Sequence, residues 1–99
     1  MNDLMGSRVA VSPEVLFQEV GGDSVLLDLK SECYFGLDET GTRIWRLIEA
    51  DGDLRSVHAA MLAEYDVDPV RLERDIGDLV QRLRKAGLVS VDATGTPKA

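Results

Sequence analysis

One cysteine and one histidine are all that this chain offers in thiol or imidazole chemistry. A lone Cys33 closes no internal disulfide. Together with His58 it falls short of the four Cys, His or acidic ligands, locally paired, that a zinc site takes. The sequence sets no base near Cys33 to make its thiol a nucleophile, and His58 reads as a helix-packing or solvated residue. Phosphate-binding loops are missing too. Gly21–Gly22, Gly41–Thr42 and Thr94–Gly95 lack the strand, glycine-rich loop, helix and lysine of a P-loop. The acidic pairs Asp38–Glu39 and Asp66–Asp68 stand at helix starts, where capping and the helix dipole account for them. The sequence therefore assigns no catalytic residue, no metal and no cofactor, and the chain is expected not to be an enzyme.

Positive charge is scarce as well. Lys and Arg number 11 against 18 Asp and Glu, a formal charge of −7. Nonspecific affinity for phosphate backbones comes from cations, so nucleic acid and anionic membranes are disfavoured partners. No apolar run nears the ~20 residues of a bilayer span, and MNDLMGSR has no signal-peptide pattern. A soluble, cytoplasmic protein is expected.

What is present suits one small domain. The chain has 99 residues, 44% of them hydrophobic, enough for a core and too many for disorder throughout. Residues 1–12 lack periodicity and are expected to form a flexible N-terminus. Residues 13–91 form the domain, and 92–99 a disordered tail. VLFQEV (Val15–Val20), SVLLDL (24–29) and CYFGL (Cys33–Leu37) read as short strands separated by the turns GGDS and KSE. In sequence order they make an antiparallel meander.

Three helices follow. Asp38 caps the first, whose stripe is Ile44, Trp45, Leu47 and Ile48, and Gly52 ends it. Asp53 caps the second, with Leu54, Val57, Met61, Leu62 and Tyr65 at helical spacing. Asp68–Pro69 opens the third, and Leu72, Ile76, Leu79 and Leu83 form its stripe. Gly87 supplies its C-terminal cap, with Leu88 as apolar companion. The fold class is α+β, a three-stranded antiparallel sheet followed by three helices.

A meander leaves its last strand on an edge, and CYFGL has no proline or lysine to protect it. Gly36 lets another backbone come close. Such an edge recruits an extended peptide as an added strand. Each main-chain bond is worth roughly 0.5–1.5 kcal/mol net. Apolar anchors must therefore help to reach micromolar binding, about −8 kcal/mol. Beside the stripe of the third helix lies a flank of Glu73, Gly77, Val80 and Arg84 that could supply them. The plainer alternative puts Val80 in the core, packs Gly77 against the protein's own sheet and covers CYFGL with the termini.

The succession VLLDLKSECYFGLDETGTRIWRLI and LRSVHAAMLAEYDVDPVRLERDIGDLVQRLRKAGLV resembles the PqqD-like family. These are the small precursor-peptide recognition elements of ribosomal peptide natural-product pathways, lasso-peptide leader-binding proteins among them. The resemblance spans residues 13–91 and is carried by YFGLDETGTRIW, AEYDVDP and LRKAGLV. It implies a winged-helix-like fold that captures a precursor's leader as an extra strand between the third strand and third helix. The leader would then pass to a modifying enzyme, a radical-SAM protein or a maturation protease. The expected peptide-binding residues are Cys33, Tyr34, Phe35, Gly36 and Leu37 on the strand, and Glu73, Ile76, Gly77, Val80 and Arg84 on the helix. Glu32–Cys33 departs from the family, which often has a glycine and a basic residue in that turn.

Two other readings stay open. One is a winged-helix DNA-binding regulator using Arg71, Arg74, Arg82, Arg84 and Lys85, although Glu73, Asp75 and Asp78 interleave with them. The other is a structural subunit that self-associates through the same edge.

Overall fold

The computed structural model describes residues 6–93. Its elements in chain order are β1 (Ser7–Val11), β2 (Val15–Val20), β3 (Asp23–Asp28), β4 (Cys33–Leu37), α1 (Glu39–Ala50), α2 (Leu54–Glu64), α3 (Pro69–Lys85) and β5 (Val89–Ala93). Strands β2, β3 and β4 form the expected antiparallel meander, and three helices follow it. The architecture is α+β and winged-helix-like.

Between β2 and β3 the turn is only Gly21–Gly22, both at positive φ. Two left-handed residues match the twist of a tight hairpin, which is why glycine stands there twice. The hairpin fixes the register, and the register sorts the side chains. Phe17, Leu26 and Phe35 form one cross-strand row on the inner face. Leu16, Leu27 and Tyr34 form a row on the outer face, where Tyr34 is 74% exposed.

All three helices begin on the expected aspartates. The Asp38 carboxylate accepts from the Gly41 N–H at 2.8 Å, Asp53 from Arg55 at 3.0 Å and Asp68 from Val70 at 3.0 Å. Helix α3 ends as the sequence predicts. The Leu88 N–H donates to the Leu83 carbonyl at 2.9 Å and the Gly87 N–H to Arg84 at 3.0 Å, the paired bonds of a Schellman cap.

Helix α1 covers the inner face of the meander. Trp45 is fully buried and stacks on Phe17, with centroids 6.5 Å apart and planes 12° from parallel. The buried hydroxyls of Ser24 and Thr42 meet at 2.7 Å, fastening β3 to α1. Helix α2 packs between α1 and α3, and α3 also packs on β5. The Arg43 guanidinium grips the Glu64 carboxylate with two nitrogens, joining α1 to α2. That hydrogen bond raises the Arg43 pKa and holds Glu64 below the ordinary carboxylate value. The His58 imidazole Nε2 lies 2.9 Å from the Pro69 carbonyl, a link between α2 and the start of α3.

The chain ends differ from expectation. Ser7–Val11, placed in a flexible N-terminus, form β1, which pairs antiparallel with β5 from Ser7↔Ala93 to Val11↔Val89. Asp92 and Ala93, placed in the tail, belong to β5. The pairing is held by apolar burial, since Val9, Leu88 and Val89 are all core residues. Strand β1 also docks on the α1–α2 connection, where the Val9 N–H donates to the Gly52 carbonyl at 2.8 Å. The remaining expected arms, residues 1–5 and 94–99, lie outside the described residues. No helix among the described residues is long and apolar enough to cross a membrane.

Candidate functional site

Strand β4 has a neighbour on one side only. It pairs with β3 from Cys33↔Asp28 to Leu37↔Ser24, and no described strand pairs with its other edge. The four-residue turn before it is built around Asp28. One carboxylate oxygen accepts from the Lys30 N–H at 3.1 Å, the other from the Ser31 hydroxyl at 2.8 Å, and the Asp28 carbonyl accepts from Glu32 at 2.7 Å. Alternation then decides what β4 presents. Phe35, half-buried, and Leu37, buried, face the helices, whereas Tyr34 and Gly36 face outward. A Cβ on Gly36 would meet nothing within 4 Å, so the outward face of β4 is uncrowded there. Cys33 is exposed, its thiol 3.7 Å from the Ser31 carbonyl.

Between the free edge of β4 and helix α3 lies a cleft of about 600 Å³. Leu37, Ile44 and Leu79 give it an apolar floor, and Asp75, Asp78 and Arg82 of α3 form the facing wall. The Arg82 guanidinium reaches toward the strand and lies 5.4 Å over the centroid of Phe35. Asp38 borders the cleft with a carboxylate already engaged in capping α1. Past Thr40 and Asp75, which line both, a second cleft of about 450 Å³ continues over Met61, Tyr65 and Leu72. The first cleft has an apolar floor, charged walls and, at Gly36 and Leu37, the unpaired backbone of β4. It can hold an extended chain. Among the described residues no group of three or more His, Cys, Asp or Glu side chains is placed to hold a metal.

Residues 23–89 match the family model described as coenzyme PQQ synthesis protein D (PqqD). The chain belongs to the PqqD family. Two solved structures resemble this PqqD-family chain over nearly their whole lengths. One is TbiB1 in complex with the TbiA(beta) leader peptide, 34% identical, with a TM-score of 0.77 over 90% of this chain and 99% of that one. The other is a lasso peptide synthetase B1 complexed with the leader peptide, 27% identical, with a TM-score of 0.69 over 84% of this chain and 98% of that one. No curated protein is similar enough to count as a match. Family and neighbours alike leave the DNA-binding alternative without support.

The PqqD-family chain brings only part of the expected site together. Gly36 and Leu37 border the cleft, Phe35 underlies Arg82, and Cys33 and Tyr34 continue the same strand. The helix residues fall elsewhere. Ile76, Gly77 and Val80 are buried in the core, Glu73 is half-buried, and the Arg84 side chain turns to Gln81 at 3.3 Å. None of these five lines the cleft. At 100° per residue, the flank of Glu73, Gly77, Val80 and Arg84 lies across the helix from Asp75, Asp78 and Arg82. The predicted stripe of Leu72, Ile76, Leu79 and Leu83 is buried, but a stripe has two flanks, and the cleft opens on the other one. Val80 is fully buried and does not line the cleft, so it widens the stripe on the side away from β4. The available signal was charge. Asp75, Asp78 and Arg82 are a polar flank directly bordering Leu79, as a wet groove wall must be.

Proposed function

We propose that this PqqD-family chain binds the leader of a ribosomally made precursor peptide, and that the leader adds as a strand to the free edge of β4. The observation that carries the reading is that unpaired edge, lying beside a cleft in a chain whose two solved neighbours both hold leader peptides. Main-chain bonds to residues 33–37 would supply part of the affinity. Apolar leader side chains over Leu37, Ile44 and Leu79 would supply the rest. The helix side of the site is then Asp75, Asp78, Leu79 and Arg82.

The role is binding and delivery, not chemistry. A tethered precursor reaches an effective concentration on the order of millimolar beside the enzyme that acts on it. That enzyme is a modifying protein of the pathway, either a radical-SAM enzyme or a maturation protease. The exposed thiol of Cys33 fits a reducing, cytoplasmic setting.

Titration of isotope-labelled protein with the TbiA(beta) leader peptide tests the reading. Amide signals of residues 33–37 and of Leu79 and Arg82 should shift, and β4 amides should gain protection from hydrogen exchange. Shifts confined to β2, or to the β1–β5 pair, would rule out strand addition at β4.

A further inference from the structure

We infer that Arg82 sets the register of the bound leader by pairing with a leader carboxylate across from Phe35, on the side of the added strand that faces α3. This inference rests on the strand-addition reading of the same groove.

Arg82 is held where it can act. Its guanidinium lies 5.4 Å over the Phe35 ring and reaches across the cleft from α3 to β4. Among the described residues it has neither an ion pair nor a side-chain hydrogen bond. Arg8, Arg43 and Arg46, by contrast, each take a carboxylate. Asp78 stands one helical turn before Arg82, at the spacing that suits an ion pair. No bridge forms there. The ring holds the planar cation, and its five N–H donors are left for an incoming acceptor.

Register then follows from the sheet. Phe17, Leu26 and Phe35 form a cross-strand row on the helix-facing side. A strand added at β4 lies about 4.8 Å further on and extends that row by one residue. The leader side chain in that place falls beside Phe35, within reach of Arg82. Elsewhere along the cleft a leader carboxylate meets Asp38, Asp75 or Asp78. Like charges brought together there oppose binding. Main-chain bonds repeat along a strand and tolerate a slip of two residues. Arg82 is the one cation among the described residues lining the cleft beside β4, against three carboxylates, and it does not tolerate such a slip; the next cation, Arg71, lies in the second cleft, away from β4.

The test uses the full chain and the TbiA(beta) leader with every Asp and Glu replaced by Asn or Gln. A series of peptides then restores one Glu at each position in turn. Affinities are read by fluorescence anisotropy for the wild type, Arg82→Ala and Arg82→Lys. One Glu position should tighten binding to the wild type by about fivefold, as for a partly exposed ion pair. Arg82→Lys should keep part of that gain and Arg82→Ala none, the gain being read for each protein against its own affinity for the uncharged peptide. A gain that survives Arg82→Ala, or a scan in which no position stands out, overturns the inference. So does an Arg82→Ala loss that is as large for the uncharged peptide, because Arg82 would then only pack on Phe35. Failure of the unmodified leader to bind the wild type removes the strand-addition reading itself.

Discussion

Glu32 holds a backbone angle that its side chain opposes. Its φ is +61°, the only positive φ among the described non-glycine residues. The left-handed conformation costs an L-residue roughly 1–2 kcal/mol. This is the turn in which the family resemblance leads one to expect glycine, and the structure supplies the reason. Glu32→Gly should therefore stabilise the protein by about 1 kcal/mol, somewhat reduced by the added freedom of the unfolded chain. Urea unfolding of the two proteins measures it, and an unchanged or lower midpoint would show that the turn relaxes around Glu32. Leader affinity should hold, because the substitution leaves β4 paired with β3. Trp45 carries a second local cost. Its buried indole N–H has no hydrogen-bond partner among the described residues, a penalty of roughly 1–3 kcal/mol that its stacking and burial must outweigh.

Strand β1 shows how much one close approach can decide. A Cβ built on Gly52 would lie 2.1 Å from the Val9 carbonyl oxygen, a backbone atom with no freedom to move aside. Gly52→Ala should push β1 off the α1–α2 connection and cost about 1–3 kcal/mol, as overpacking does. Thermal melting measures the loss. Leader binding should survive wherever the protein stays folded, since β4 and its cleft belong to the other sheet. The same strand marks the limit of what the sequence discloses. Elements β2 to α3 announced themselves through local chemistry: a glycine pair, three capping aspartates, a proline at a helix start. Strand β1 has no such neighbour. Its partner β5 lies at the opposite end of the chain, and short apolar stretches such as SRVAV and VSVDA become strands only when they meet. Helix α3 was legible as a helix with a stripe. Which flank of that stripe borders β4 depends on how α3 leans against α2 and β5, and periodicity carries no such information.

At the scale of the whole molecule, binding and stability are linked. A leader that binds the folded state alone adds about 2.7 kcal/mol of stability at a hundred times its Kd. For a domain of about 100 residues, this raises the melting temperature by roughly 10–20 °C. Differential scanning fluorimetry with the TbiA(beta) leader at such an excess measures the shift. No change at saturation would mean that the peptide also binds the unfolded chain. The net charge of −7 bears on the same surface. That excess of negative charge repels an acidic leader at long range and salt screens the repulsion, whereas salt weakens the local pairing of a leader carboxylate with Arg82.

The antiparallel match of Ser7 with Ala93 has a practical side. Both ends of the described chain lie side by side, on a different sheet from β4. A domain with adjacent ends can be spliced into a surface loop of another protein, or joined to one at either end, with little strain. Such a graft would carry the groove unobstructed. Evolution or an engineer could thus attach the same groove to unrelated catalysts without redesigning it.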